Sequence, residues 1–176
     1  MNNKLVDGGS SGDKLRSPVL NEDATFAATI PAGTPVVLAL NGTDDGLAVV
    51  MPSTAGAAQT EALFYGVAQT ALPYNTNVRG YALRNGLATN AIVCIATRAA
   101  SSNSWTSSAS MASWQCLSVD TINNCFTTVS ASAGASRYQA FAILAQSVAS
   151  IAASATATTD TRTAITQACK VWVNLL

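Results

Sequence analysis

The stretch IPAGTPVVLALNGTDDGLAVVMP, residues 30–52, carries the clearest strand pattern in this sequence. Prolines stand at both of its ends, and two apolar runs flank the polar segment NGTDDG. Asn-Gly and Asp-Gly pairs tolerate the positive φ angles that tight hairpin turns require. The stretch therefore predicts a β-hairpin whose strands span residues 36–40 and 46–51.

Strand-like segments continue to the C-terminus, and together they predict an all-β fold. Further strands are expected at residues 63–70, in a strand–turn–strand segment at 114–129 and in the final segment 169–176. In the final strand, Val171 and Val173 share one face and Trp172 lies on the other. Residues 138–150 fit both a strand and a helix, and we expect a strand that runs into a short helix. The resulting fold is a small antiparallel β-barrel or sandwich with at most one short helix.

Glycines are placed where the strands of a small barrel would have to bend. The triplet Gly-apolar-Ala occurs four times, beginning at Gly46, Gly66, Gly80 and Gly86. Glycine inside a strand marks a bend, a bulge or a close approach of another backbone. The pair Asn85–Gly86 also predicts a tight turn, and the segment STAGAAQTE, residues 53–61, predicts a loop.

The chain is expected to consist of a flexible N-terminal arm, residues 1–23, and a single β-rich domain, residues 24–176. The arm contains the run GGSSG and short apolar pairs without hydrophobic periodicity. Within the domain, the Ser-rich segment at about residues 99–113 is expected to be an exposed loop.

The composition favours a structural protein over an enzyme. Apolar residues make up 49% of the chain, charged residues make up 10%, and the formal net charge is zero. Such a surface does not attract polyanions, and low charge favours self-association, so we expect an assembly subunit that binds no nucleic acid. The chain has no histidine, which excludes Ser-His-Asp and Cys-His catalytic groups and histidine-bearing zinc sites. No phosphate-binding glycine motif is present, and we expect no catalytic residue, cofactor or metal.

Two further sequence features bear on compartment. The longest uncharged run, residues 138–159, contains Gln and many Ser and Thr residues, so it does not predict a membrane span. The four cysteines are far apart and have no metal-ligand spacing, as expected for small buried hydrophobic residues in a reducing compartment. Cys116 and Cys125 flank a predicted turn and are the two that could face each other across a hairpin.

Four segments, taken in order, give this sequence a resemblance to a known family. They are IPAGTPVVLAL, YGVAQT, NVRGYALRNGLATNAIV and KVWVNLL. In this order they resemble the small capsid decoration, or head cement, proteins of tailed bacteriophages. The resemblance covers about Ile30 to Ile95 and Cys169 to Leu176.

The resemblance implies a β-tulip-like barrel without catalytic residues, which binds the outside of the expanded capsid and stabilises the shell. It implies the major capsid protein and other copies of the chain as partners, most commonly in a trimer. It also implies synthesis in the host cytoplasm and a final location on the outer surface of the virion. The N-terminal arm is then expected to contact the major capsid protein, through the candidate residues Leu5, Val6, Leu15, Arg16, Val19 and Leu20.

A second function fits the same sequence. The Ser-, Thr- and Asn-rich loops, together with Trp105, Trp114 or Tyr74, could serve as a sugar platform in the carbohydrate- or receptor-binding head of a phage fibre or spike. Exposed aromatic residues gathered in one concave patch would favour this alternative. An arm that becomes ordered on a capsid would favour the cement protein.

Overall fold

The computed structural model describes residues 15–39, 48–74, 78–97, 111–129, 140–149 and 164–174. In these ranges the chain forms nine strands and one helix. They are β1 (Leu15–Asn21), β2 (Pro35–Leu38), β3 (Ala48–Val50), α1 (Pro52–Leu63), β4 (Phe64–Ala68), β5 (Gly80–Thr97), β6 (Cys116–Asp120), β7 (Cys125–Thr128), β8 (Ala142–Leu144) and β9 (Ala164–Asn174). The strands include a closed five-stranded β-barrel with further strands outside it, which confirms the predicted all-β class.

Strands β1, β3, β2, β4 and the first part of β5 form one closed circuit, which we call the N-terminal circuit. β1 runs parallel to β3 and antiparallel to β5. β2 pairs antiparallel with both β3 and β4, and β4 pairs antiparallel with β5, so that the ladder returns to β1. Its core includes the buried residues Val19, Ile30, Val36, Val49, Tyr65 and Leu72.

The remainder of β5 belongs to a second closed circuit, the C-terminal circuit, which continues through β7, β6, β8 and β9. The β5–β9 ladder is antiparallel and extends from Asn85 opposite Asn174 to Thr97 opposite Ala164. β6 pairs antiparallel with β7 and β8, and β8 pairs antiparallel with β9. The circuit closes where β7 runs parallel to β5, with Phe126 opposite Val93.

The hairpin predicted from residues 30–52 is confirmed. Val37 lies opposite Val50 and Leu38 opposite Val49 in the antiparallel β2–β3 pair, whereas the NGTDDG segment lies outside the described residues. The PAGT segment before β2 connects the two circuits. Gly33 donates its N–H to the Ala68 carbonyl oxygen (2.7 Å) and accepts a hydrogen bond from the Ile92 N–H (2.9 Å).

Of the four Gly-apolar-Ala triplets, Gly46 lies outside the described residues, and the other three glycines mark a bend or a close approach. A Cβ at Gly66 would overlap the carbonyl oxygen of Leu83, and a Cβ at Gly80 would overlap the side chain of Leu72. Gly86 has a φ of 115°, next to an irregularity in the pairing of β1 with β5. The tight turn predicted at Asn85–Gly86 is wrong, because both residues lie inside β5, at the bend where this strand passes from one circuit to the other.

The predicted loop at residues 53–61 is also wrong, because the structure has helix α1 there. Pro52 occupies the first turn, where its missing N–H costs no intrahelical hydrogen bond. The N-cap residue Met51 makes no side-chain capping bond. The carboxylate of Asp23 supplies the cap instead, since it accepts hydrogen bonds from the Met51 N–H (2.9 Å) and the Thr54 hydroxyl (2.8 Å). The short helix considered near residues 138–150 is not seen in residues 140–149, which contain strand β8.

The boundary of the N-terminal arm requires a correction. Residues 15–21, which the sequence assigns to the arm, form strand β1 between β3 and β5. Val19, Asn21 and Asp23 are buried, so residues up to Asp23 belong to the barrel. The GGSSG run and the residues before Leu15 lie outside the described residues. A local pattern could not reveal this strand, because its two partners come from distant parts of the chain.

Candidate contact surface

The outer face of the C-terminal circuit carries a row of apolar side chains. Strand β9 alternates, with Val171 and Val173 buried and Trp172 40% exposed between them. Trp172 lies opposite Leu87 of β5 and opposite Ile143 of β8, and Ile143 lies opposite the exposed Cys116 of β6. Residues directly opposite each other on neighbouring strands share a face of the sheet and lie close together. We call Leu87, Trp172, Ile143 and Cys116 the apolar row.

Trp114 lies just before β6, two residues before Cys116 of the apolar row. Its backbone N–H donates to the carbonyl oxygen of Leu144 (2.7 Å), next to Ile143 in the chain. Its side chain is 79% exposed, and its φ of 73° is in the left-handed region that bulky residues rarely adopt. A large exposed side chain on a strained backbone is unfavourable for the isolated domain, which makes Trp114 a candidate contact residue.

The turn of the β6–β7 hairpin presents a further apolar side chain. The Asp120 carboxylate accepts hydrogen bonds from the N–H groups of Ile122 (2.8 Å) and Asn123 (3.1 Å) and from the Asn123 side-chain amide (2.7 Å). These bonds fix the turn with the Ile122 side chain exposed to solvent. The same hairpin is held against α1, because the Asn124 side-chain oxygen accepts the Ser53 N–H (2.8 Å).

Polar groups border the apolar row without adding much charge. Lys170 is exposed and lies two residues before Trp172, on the same face of β9. The Lys170 N–H donates to the side-chain oxygen of Gln146 (3.0 Å), and its carbonyl oxygen accepts the N–H of Ala145 (2.8 Å). Among the described residues, this face therefore combines an apolar centre with the amide of Gln146 and the ammonium group of Lys170.

The predicted contact residues fall in different environments. Leu5 and Val6 lie outside the described residues. Leu15 begins β1, where its backbone lies opposite Asn85. Arg16 is exposed, Leu20 is half-buried, and Val19 is fully buried in the core of the N-terminal circuit. Among the predicted contact residues whose side chains the structure describes, Arg16 is the most accessible to a partner. Val19 instead stabilises the barrel.

Sequence reasoning identified some of the surface residues and missed others. The alternation in β9 correctly placed Trp172 on the face opposite Val171 and Val173. The contribution of Leu87, Ile143 and Cys116 depends on how distant strands pair, which no local pattern reports. Ile122 could have been found from its place in the predicted turn DTINN, where an apolar residue is unusual.

The cysteine arrangement differs from the one considered in the sequence. Cys116 is exposed and Cys125 is buried, and they lie at opposite ends of the β6–β7 ladder, in which Asp120 is the residue opposite Cys125. Cys125 instead contacts Cys94 of β5. Cys169 is buried in the core of the C-terminal circuit, and burial raises the pKa of its thiol.

Two findings concern other classes of site. Within the part of the chain that the structure describes, no three or more Cys, Asp or Glu side chains come together as ligands for a metal ion. The one helix found there, α1, is too short and too polar to cross a membrane.

No known family, curated protein or solved structure matches this chain.

Proposed function

We propose that this protein is a structural virion protein that binds the outer surface of a phage capsid and stabilises the shell. The observation that carries the proposal is the apolar row, which lies on the outside of a barrel whose interior is already filled. Its partners under this proposal are the major capsid protein and further copies of the chain, in a homo-oligomer that we expect to be a trimer. Neither nucleic acid nor a membrane is a partner.

The apolar row supports a protein partner because apolar and aromatic side chains form the centre of most protein interfaces. Trp172 is half-exposed in the middle of the row, and Trp114, two residues before Cys116 in the chain, is largely exposed. Tryptophan is enriched among the residues that dominate binding energy. The low content of charged residues also favours a protein partner, since few charged groups would have to be neutralised in the interface. Weak contacts repeated by the symmetry of a shell then combine into strong attachment.

The corrected start of the barrel changes the proposed role of the arm. Under this proposal only residues 1–14 reach the major capsid protein, and Leu5 and Val6 provide apolar anchors for an added strand. Arg16 lies in β1, directly after the arm, and is exposed, so it would contact the same partner. Val19 takes no part in the contact because its side chain is enclosed by the barrel.

The test is co-sedimentation of the purified protein with expanded heads of the phage that encodes it. The double variant Trp172→Thr/Ile143→Thr keeps strand-forming residues in place but removes most of the apolar surface of the row. We expect the wild type to pellet with the heads and this variant to remain in the supernatant. The matched control is Tyr81→Thr, which removes a 52% exposed aromatic residue from β5 in the N-terminal circuit and should bind normally.

A truncation separates the arm from the surface. Removal of residues 1–14 leaves β1 intact, whereas removal of residues 1–23 would also delete β1 and Asp23. We expect the first truncation to keep the thermal unfolding transition of the wild type and to lose attachment to heads. Wild-type protein that fails to pellet with expanded heads would contradict the whole proposal. A shorter chain that pellets normally would contradict only the role of the arm.

The second candidate function is a carbohydrate- or receptor-binding head, and the exposure of Trp114 is the observation that favours it. A tryptophan ring can stack on a sugar ring. Tyr74 is half-buried, and Trp105 lies outside the described residues. A glycan array distinguishes the two functions. Saturable binding to a defined glycan that is lost in Trp114→Ala, without co-sedimentation with heads, would replace the capsid proposal with this one.

A further inference from the structure

Cys94 and Cys125 form a pair of buried thiols at the closure of the C-terminal circuit. Both are free cysteines, they lie on β5 and β7 respectively, and they contact each other together with Ile92. Their neighbours Val93 and Phe126 lie opposite each other and point into the apolar core. Adjacent residues of a strand point to opposite faces, so both thiols lie on the face directed away from this core.

The thiol pair lies at the shortest strand pairing of the C-terminal circuit. β5 pairs with β7 at Val93 opposite Phe126, whereas on its other side β5 follows β9 for most of its length. β7 is otherwise held by its hairpin partner β6, from Asp120 opposite Cys125 to Leu117 opposite Thr128. A covalent bond between the thiols would therefore join the two strands where backbone pairing is least extensive.

We propose that Cys94 and Cys125 form a disulfide that acts as a redox latch on the C-terminal circuit. The oxidant is a low-molecular-weight disulfide such as oxidised glutathione. One protein thiol, as the thiolate, attacks the glutathione disulfide and releases one reduced glutathione. The second protein thiolate then attacks the mixed disulfide, the Cys94–Cys125 bond forms, and the second glutathione leaves in its reduced form. The protein loses two electrons and two protons, which the two glutathione molecules take up.

The environment of the pair makes the latch slow to form in the folded protein. The hydrogen bond with the Cys94 side chain, and then burial, raise the pKa of the Cys125 thiol well above its ordinary value. Exchange requires a thiolate and access for the small disulfide, and the closed circuit provides neither. The bond is therefore made while the chain folds, or when the β6–β7 hairpin opens. Once made, it is protected from reductants by the same burial.

The inference rests on the strand pairing and is independent of the proposed function. Its expected effect is an increase in thermal stability, because the bond links residues 94 and 125 and restricts the unfolded chain. A loop of this length predicts an increase in Tm of roughly 10 °C for a chain of this size. The reduced protein is expected to fold as well, with a lower Tm.

The experiment uses the full-length chain with Cys116→Ser, which removes the exposed thiol and prevents links between molecules. The protein is refolded with reduced glutathione alone or with a mixture of oxidised and reduced glutathione. Remaining thiols are then alkylated and the peptides are mapped by mass spectrometry. We expect a loss of two hydrogen atoms in mass, a linked peptide that contains Cys94 and Cys125, and the higher Tm.

A second variant ties the increase in Tm to this bond. Adding Cys94→Ala should make Tm the same in both glutathione mixtures. If that variant does not fold, the peptide map and the two Tm values of the Cys116→Ser protein decide the question. Three thiols that stay reduced after oxidative refolding would overturn the latch. A link that involves Cys169, or a Cys94–Cys125 link without an increase in Tm, would overturn it as well.

Discussion

The N-terminal circuit and the segments packed against it bury polar side chains, whereas the core of the C-terminal circuit is filled by aromatic and aliphatic side chains. Among the described residues, the buried polar side chains are Asn21, Asp23, Thr34 and Thr60, and all four come from the first part of the chain. The C-terminal core instead contains Phe126, which meets the Phe64 ring edge-on at 6.0 Å, and Phe141, whose ring lies 4.7 Å from that of Phe64.

The difference shows two ways to fix a closed set of strands. The N-terminal circuit has short strands, and directional hydrogen bonds hold its segments together. Asn21 donates from its side-chain amide to the carbonyl oxygens of Ala28 (2.9 Å) and Leu72 (2.8 Å), and its side-chain oxygen accepts the N–H of Asp23 (3.0 Å). The C-terminal circuit has the long β5–β9 ladder to fix its register, and non-directional apolar packing is then sufficient in the interior.

Replacement of Phe126 by alanine tests the apolar core and should have the largest effect on stability. Truncation removes a fully buried ring and leaves a cavity between β7 and β4. We expect the free energy of unfolding to fall by about 3–5 kcal/mol, measured by urea denaturation. The control Phe26→Ala removes a ring of the same size that is 49% exposed, and it should cost about 0.5 kcal/mol. Equal losses for the two variants would contradict the packing argument.

Replacement of Gly33 by alanine tests the junction of the two circuits. Gly33 has a φ of 89°, and a Cβ there would overlap the carbonyl oxygen of Asn90. Backbone strain and overpacking together should lower the free energy of unfolding by about 3 kcal/mol. Gly56 is a matched control because its φ is 75° and a Cβ there would have no atom within 4 Å. The Gly56→Ala variant should show backbone strain alone, about 2 kcal/mol, because its φ of 75° and ψ of 171° lie in a region that only glycine adopts readily. An equal loss in both variants would refute the close approach at Gly33.

Replacement of Asp23 by alanine tests the buried polar network beside the N-terminal circuit. The Met51 N–H and the Thr54 hydroxyl would lose their acceptor, and the N-terminus of α1 would lose a favourable negative charge. We expect a loss of about 2 kcal/mol in the free energy of unfolding. Asp120→Ala is the control, since this carboxylate makes similar bonds in a solvent-facing turn and should cost under about 1 kcal/mol. A smaller loss for Asp23 than for Asp120 would show that the buried network is dispensable.

These two circuits were not equally accessible to sequence reasoning. The β2–β3 and β6–β7 hairpins and the alternation of β9 were predicted correctly, because each depends on local turn chemistry and side-chain period. Helix α1 was missed because its cap, Asp23, comes from a distant segment, and because Gly56 interrupts it with a non-helical backbone. Strand β1 was missed because apolar and polar residues do not alternate along its sequence, LRSPVLN. Its partners, β3 and β5, also lie far along the chain.

The candidate surface likewise combines features that local sequence predicts with features that depend on the pairing of distant strands. The outward direction of Trp172 was predictable from the period of one strand. The apolar row as a whole was not, because it requires the registers of β5 with β9, of β9 with β8 and of β8 with β6. The Cys94–Cys125 contact likewise depends on a parallel pairing between strands that are distant in sequence. Properties of a single strand can be predicted locally, whereas properties of a surface require the pairing.

Replacement of Trp114 should have the smallest effect on stability and a large effect on binding. Trp114→Ala removes the exposed ring but keeps a Cβ at a φ of 73°, so its free energy of unfolding should stay within about 0.5 kcal/mol of the wild type. Trp114→Gly also relieves the backbone and should be more stable than the alanine variant by about 1 kcal/mol. If the ring is retained for contact, both variants should lose attachment to expanded heads to the same extent. Binding that follows stability instead, with the glycine variant attaching better than the alanine variant, would show that the backbone of this segment matters and the ring does not.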